Sequence, residues 1–140
     1  MREIVFRGKR TAWPHGWVYG SLILDDEGFC CILDNSDEVK NTYDYPYLDP
    51  CGVIDGNVDA VESETVGQFT GLFDRNMAGI FEGDIIKTSN GNFKVVYKRG
   101  SFWLYDPMSD YHLDFLPSYK AEAIEIVGNI YDDPKLLKEQ

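Results

Sequence analysis

The sequence predicts an all-β, mainly β protein with at most a short C-terminal helix. Short apolar runs follow one another along the 140 residues, and glycines or other turn-forming residues separate them. Nine Tyr, eight Phe and three Trp provide side chains that suit pleated, half-buried surfaces. An Asn-Gly pair at Asn90–Gly91, between two apolar runs, is a strong hairpin signal.

The first strands are expected close to the N-terminus. Ile4 and Phe6 indicate a short strand, and residues 17–24 indicate a second strand that is apolar at both parities. The run Asp25–Gly28 indicates a turn. Residues 29–33 are then expected to return as the hairpin partner of the second strand.

A single domain is expected over residues 1–140, interrupted by an irregular acidic excursion at 34–62. This segment carries prolines, glycines and many acids instead of an apolar period. Loops of this length are uncommon in compact domains unless they are functional or disordered. The sequence leaves open whether the excursion is ordered.

A three-stranded meander over residues 84–105 is the best-supported local structure. Asn90–Gly91 is expected at the centre of a type I′ turn, because both residue types tolerate a positive φ. Arg99–Gly100 is expected to turn the chain again. The other expected elements are a β pattern over 64–72, a loop over 74–79, a last strand over 123–131 and a helical turn over 134–139.

The net charge of −11 disfavours loose binding to nucleic acid, which depends on Lys and Arg neutralising phosphates. The charge is uneven, because residues 84–104 carry four bases against one acid. No apolar run reaches the length of a membrane span, and the N-terminus lacks the apolar stretch of a signal peptide. A cytoplasmic location is therefore expected, with Cys30, Cys31 and Cys51 as reduced thiols.

No catalytic residue, metal site or cofactor is predicted. His15 and His112 are far apart in the sequence, and the adjacent Cys30 and Cys31 would point to opposite faces of a strand. Cys51 beside a histidine would form a nucleophile–base pair only by assumption. Gly-rich phosphate loops are absent from the sequence.

Aromatic residues and bases are interleaved in the meander. Small β domains bind peptides or single-stranded nucleic acid on surfaces of this kind. The alternative is that Phe93, Val95 and Tyr97, which share one parity, simply form the core. The candidate partner-binding residues in the meander are Lys94, Lys98, Arg99 and Trp103.

A second candidate partner-binding segment lies in the acidic excursion, where Tyr43, Tyr45 and Tyr47 stand among acids. Aromatic side chains are the anchors of many interfaces. Acidic neighbours would steer these tyrosines toward a basic partner and repel DNA. The alternative is that the loop folds back and buries the tyrosines.

Several glycine-punctuated motifs, in order along the chain, carry a resemblance to a known family. They are residues 2–10, Gly16–Leu22, Glu64–Leu72, Ile80–Ile86 and Val127–Pro134. With them the sequence resembles the YopX family of phage and prophage proteins. The resemblance implies an all-β fold with a small SH3-like barrel, additional strands and long loops. It implies no activity and no catalytic residue, and nothing is carried over to the excursion.

Three functional hypotheses follow. The first is a non-catalytic protein-binding module or regulator that acts on another phage or host protein. The alternative is an acidic nucleic-acid mimic that blocks a host DNA-binding protein, and an enzyme of unknown type is the second alternative. Neither free DNA nor a membrane is expected as a partner, and a homo-oligomer is compatible with the sequence.

Overall fold

The computed structural model describes residues 3–34, 58–107 and 113–137, and these residues are mostly β. The prediction of an all-β protein with little helix is confirmed. Short 3₁₀ turns occupy Ser63–Thr65, Leu116–Ser118, Ala121–Ala123 and Pro134–Leu137. The strands are β1 (Phe6–Lys9), β2 (Trp17–Leu24), β3 (Cys30–Asp34), β4 (Val58–Ala60), β5 (Gly67–Phe73), β6 (Gly79–Phe81), β7 (Asp84–Thr88), β8 (Gly91–Lys98), β9 (Ser101–Tyr105), β10 (Leu113–Phe115) and β11 (Glu125–Asn129).

Contacts divide the chain into two compact units, Glu3–Gln68 and Phe69–Gln140. The sheet of the first unit has the strand order β4-β3-β2-β1-β5, with antiparallel pairing throughout. The β2–β3 hairpin is confirmed, and Asp25 closes its turn by accepting the backbone N–H groups of Glu27 and Phe29. The buried core of this unit consists of Val18, Cys30, Ile32 and Val61.

The second unit contains an antiparallel sheet of order β10-β9-β8-β7-β11. Strand β5 crosses from the first unit, and its end pairs with β6. Among the described residues neither sheet closes into a barrel, so the all-β class is confirmed and an SH3-like barrel is not. The core of the second unit consists of Ile80, Ile86, Phe93, Val95, Leu104, Leu116 and Ile124.

The predicted meander is confirmed as β7, β8 and β9, but its first turn is centred one residue earlier than expected. Thr88 pairs with Gly91, which leaves Ser89 and Asn90 as the loop, and Gly91 has a φ of 120°. The Thr88 hydroxyl fixes this turn, since it accepts the Asn90 N–H and donates to the Gly91 carbonyl. A type I′ turn centred on Asn90–Gly91 is therefore wrong.

Two successive positive φ angles occur instead at the second turn of the meander. Arg99 has a φ of 53° and Gly100 a φ of 75°, and Lys98 pairs with Ser101 on either side. This is the backbone conformation of a type I′ loop, whose twist matches that of the flanking strands. Arg99 thus adopts a left-handed conformation that a residue with a Cβ rarely adopts.

Strand β4 lies within the segment that was predicted to be irregular. Its three residues pair with β3 at the edge of the first sheet. Ala60 also accepts the backbone N–H of Thr11, which ties this edge to the chain beyond β1. Residues 35–57 lie outside the described part of the chain.

Candidate functional site

The β8–β9 hairpin has two faces of different character. Phe93, Val95 and Leu104 point into the core of the second unit and are buried. Because successive side chains of a strand point to opposite faces, Lys94 and Trp103 lie on the other side of the sheet. The expectation that Phe93, Val95 and Tyr97 form the core is confirmed for Phe93 and Val95 and is wrong for Tyr97, which is 51% exposed near the end of β8. The opposite face of the hairpin carries the aromatic and basic residues.

The outward residues contact one another and form what we call the aromatic–lysine face, defined as Lys94, Lys98, Trp103, Tyr105 and Phe115. The two lysine Nζ atoms lie 5.5 and 5.4 Å from the centroid of the Tyr105 ring. These distances fall within the range of cation–π attraction. The rings of Trp103 and Phe115 pack edge to face, with their centroids 5.3 Å apart.

The indole of Trp103 is held in a defined orientation. Its Nε1–H donates a hydrogen bond of 2.8 Å to the backbone carbonyl of Lys98. Phe115, which is 43% exposed, supports the ring from β10. An aromatic ring that is oriented before binding loses little conformational freedom in a complex.

The structure brings together three of the predicted partner-binding residues, namely Lys94, Lys98 and Trp103. Arg99 lies in the exposed turn beyond Lys98 and makes no ring contact or ion pair within the described part of the chain. Tyr43, Tyr45 and Tyr47 lie outside the described residues. The roles assigned to all these residues stay predictions.

Phe115 was missed by the sequence reasoning. It joins the face only because β10 pairs with β9, so that Phe115 lies opposite Trp103. The alternation of Leu113, Asp114 and Phe115 in the sequence was the available signal for an edge strand, but its place in the sheet depends on long-range pairing.

The two cysteines in the described part of the chain, Cys30 and Cys31, show no feature of a nucleophilic site. Cys30 has a free thiol, and burial followed by the charge of Asp25 raises its pKa, which keeps the thiol protonated. Cys31 is disulfide-bonded, so the expectation of three reduced thiols is wrong for this residue. The neighbours differ because adjacent residues of β3 point to opposite faces. Cys51 and His112 lie outside the described residues.

The described residues contain no group of three or more His, Cys, Asp or Glu side chains that could hold a metal ion. In the same part of the chain, no helix is long and apolar enough to cross a membrane. The expected absence of metal and cofactor stays a prediction.

Residues 23–138 match the YopX family, described as YopX protein. The chain belongs to the YopX family. The crystal structure of protein EF1440 from Enterococcus faecalis is similar, with 21% sequence identity and a TM-score of 0.56. The similarity covers 98% of this chain and 99% of the EF1440 chain, and at this identity it supports the fold alone. No curated protein matches the chain.

The motif Val127–Pro134, which carries part of the resemblance to the YopX family, has a structural role in this chain. The Asn129 side chain accepts the backbone N–H groups of Tyr131 and Asp132. A Cβ on Gly128 would stand 2.5 Å from Asp133 Oδ2 and 2.9 Å from Leu136 Cδ1. A glycine is therefore needed where the chain folds back on β11, next to the register shift between Ile126 and Gly128.

Proposed function

We propose that this YopX protein is a non-catalytic binding module whose aromatic–lysine face recognises an acidic segment of a partner protein. The observation that supports the proposal is the clustering of two lysines around one tyrosine ring, beside a half-buried, oriented Trp103 that packs on the exposed Phe115. Interfaces are enriched in such aromatic anchors, and their energy is concentrated in a few of them.

Charge complementarity selects the occupant of the face. The chain as a whole carries a net charge of −11, so a cluster of lysines is a local exception on an acidic molecule. Carboxylates of a partner would meet the ammonium groups of Lys94 and Lys98, while an apolar or aromatic side chain would pack on Trp103. A long polyanion such as DNA would instead meet the repulsion of the whole protein.

The direct test is selection from a random peptide library displayed on phage, followed by affinity measurement on the selected peptides. We expect peptides in which Asp or Glu accompanies an aromatic residue. Trp103→Ala should weaken their binding by about tenfold or more, as loss of a central anchor does. Trp13→Ala is the matched control, because Trp13 is 85% exposed and lies outside the face.

A second pair of variants tests the charge. Lys94→Gln combined with Lys98→Gln should weaken peptide binding and reduce its dependence on salt, whereas Lys120→Gln should change neither. Selection of basic peptides, or equal losses in the control variants, would refute the assignment of the face. Tight binding of single-stranded DNA at low salt, abolished by Trp103→Ala, would assign the face to nucleic acid instead.

The acidic nucleic-acid mimic is the second candidate, and the net charge of −11 is the observation that favours it. A mimic presents acidic side chains to the DNA site of its target and needs no aromatic–lysine face. Capture of a host DNA-binding protein that DNA displaces, and that Trp103→Ala leaves unchanged, is the result expected of a mimic.

A further inference from the structure

A polar cleft in the second unit lies apart from the aromatic–lysine face. The loop after β5, the β7–β8 turn and the beginning of β11 enclose a cavity of about 220 Å³. The residues that line the cavity are Arg75, Lys87, Thr88, Ser89, Ala123, Ile124 and Glu125.

Arg75 enters the cleft from a loop that is fixed in place. The preceding residue, Asp74, is 3% exposed, and its carboxylate accepts the backbone N–H groups of Asn76, Ala78 and Ile126. Arg75 itself donates its backbone N–H to the carbonyl of Ile124 at 3.0 Å. The backbone position of Arg75 is therefore set on both sides.

The opposite wall carries Lys87 and Ser89. Lys87 is the outward residue next to the buried Ile86 on β7. Ser89 sits in the two-residue turn that the Thr88 hydroxyl holds at both ends. Arg75, Lys87 and Ser89, all three exposed to solvent, thus line one small cavity.

Both cations of the cleft lack an internal counterion. Neither Arg75 nor Lys87 forms an ion pair with its head group anywhere in the described part of the chain. Glu125 lies opposite Lys87 in the sheet register, but its carboxylate accepts a hydrogen bond from the Asn76 side chain at 3.3 Å. Two cations and one acid leave the cleft with a positive charge on a protein of net charge −11.

We propose that this cleft is a binding site for the phosphoryl group of a small phosphomonoester. Arg can grip two oxygens of a phosphoryl group with its planar fork, and Lys supplies a compact second charge. The Ser89 hydroxyl adds a neutral donor. A dianionic phosphoryl group matches the two cations, and the half-open cavity leaves the ester substituent outside. The site shares no residue with the aromatic–lysine face, so it stands or falls independently of the proposed function.

The first experiment is an amide NMR titration of the full chain with inorganic phosphate, in a phosphate-free buffer of physiological ionic strength that screens exposed charges. We expect saturable shifts at Arg75, Ser89 and Glu125 in the millimolar range. Arg75→Gln and Lys87→Gln should each weaken binding about tenfold, since each removes a charge-assisted contact. Both variants should keep the fold, because neither head group has an ion-pair partner among the described residues.

Two matched variants make the result specific. Lys135→Gln removes one positive charge outside the cleft and should leave the affinity unchanged within about twofold, as expected for a screened exposed charge. Glu125→Gln should strengthen binding, because it removes the repulsive carboxylate. Shifts that do not saturate, or an equal loss in Lys135→Gln and Lys87→Gln, would overturn the proposal.

The last comparison identifies the carrier of the phosphoryl group. O-phosphoserine and adenosine 5′-monophosphate are titrated separately, and inorganic phosphate must displace each of them. Tighter binding of phosphoserine than of phosphate assigns the cleft to a phosphorylated side chain, and tighter binding of the nucleotide assigns it to a nucleotide. Weaker binding of both esters than of phosphate would overturn the assignment to a phosphomonoester.

Discussion

Replacement of Asp74 should be among the most destabilising single changes in the second unit. Its buried carboxylate accepts three backbone N–H groups, from Asn76 at 2.9 Å, Ala78 at 3.0 Å and Ile126 at 2.9 Å. Two of these bonds close the loop before β6. The third satisfies the backbone N–H of Ile126 on the edge strand β11. Asp74 therefore joins two segments that are about fifty residues apart in the sequence.

The magnitude follows from the number and type of these hydrogen bonds. A hydrogen bond to a charged group contributes about 1.5–3 kcal/mol, and leaving a buried donor unpaired costs a similar amount. The amides of Asn76 and Ala78 belong to exposed residues and can turn to water, whereas that of Ile126 lies in the sheet. We therefore expect Asp74→Ala to lower the free energy of unfolding by about 3 kcal/mol, below the sum of three full contributions.

Urea denaturation followed by circular dichroism measures this change, with Glu122→Gln as a control that removes an exposed acid from the same unit. Burial by itself would raise the pKa of Asp74, but the N–H groups of Ile126, Ala78 and Asn76 lower it below the ordinary value. A lowered folded-state pKa means that the stabilisation is present above the unfolded-state pKa of about 3.9 and is lost as the pH falls through the folded-state value.

The difference in the free energy of unfolding between the wild type and Asp74→Asn should therefore be constant near neutral pH and become smaller in strong acid. If Asp74→Ala costs less than about 1 kcal/mol, the value for an ordinary neutral hydrogen bond, the reasoning is refuted. If the difference in the free energy of unfolding stays constant down to a pH of about 2, well below the ordinary aspartate pKa, the charge of Asp74 does not contribute to stability.

Four further changes test the fold. Gly91→Val should destabilise by about 1 kcal/mol or more, because a β-branched residue resists a φ of 120°; an unchanged urea midpoint would contradict this. Arg99→Gly should stabilise by about 0.5–1 kcal/mol, because glycine relieves the left-handed strain; a loss of stability would count against the turn. Gly128→Ala should cost about 1–3 kcal/mol as an overpacking change, read from the thermal midpoint, since its Cβ would collide with Asp133 and Leu136. Treatment with a chelator should leave the thermal midpoint unchanged, and a fall would reveal a structural metal.

Local patterns in the sequence predicted most strands and the meander, because period-two alternation and turn residues act over a few positions. The centre of the first meander turn was not predictable in this way. The Asn-Gly pair favours a type I′ turn, but the Thr88 hydroxyl competes by bonding to Asn90 and Gly91. The two positive φ angles occur at Arg99–Gly100, where arginine is a poor sequence signal.

The candidate sites show the same limit. Lys94, Lys98 and Trp103 could be grouped because they belong to neighbouring strands of one hairpin. Phe115 could not be added to them without knowing that β10 pairs with β9.

The cleft lined by Arg75 and Lys87 could not be predicted from the sequence for a related reason. It combines Arg75, the segment 87–89 and Glu125, and these meet only through the backbone bond to Ile124 and the β7–β11 pairing. Their spacing in the sequence matches no local motif.

The pleat of β8 and β9 has a consequence for how such proteins diverge. Inward positions such as Val95 and Leu104 are constrained by packing in the core, whereas the outward Lys94 contacts the Tyr105 ring and the outward Trp103 packs on Phe115. Under the proposed function, a lineage can exchange the outward residues without repacking its core, and so change its partner while the fold persists. Selection for a different partner would then favour substitutions at every second position of these two strands. The positions between them would stay constrained by packing in the core.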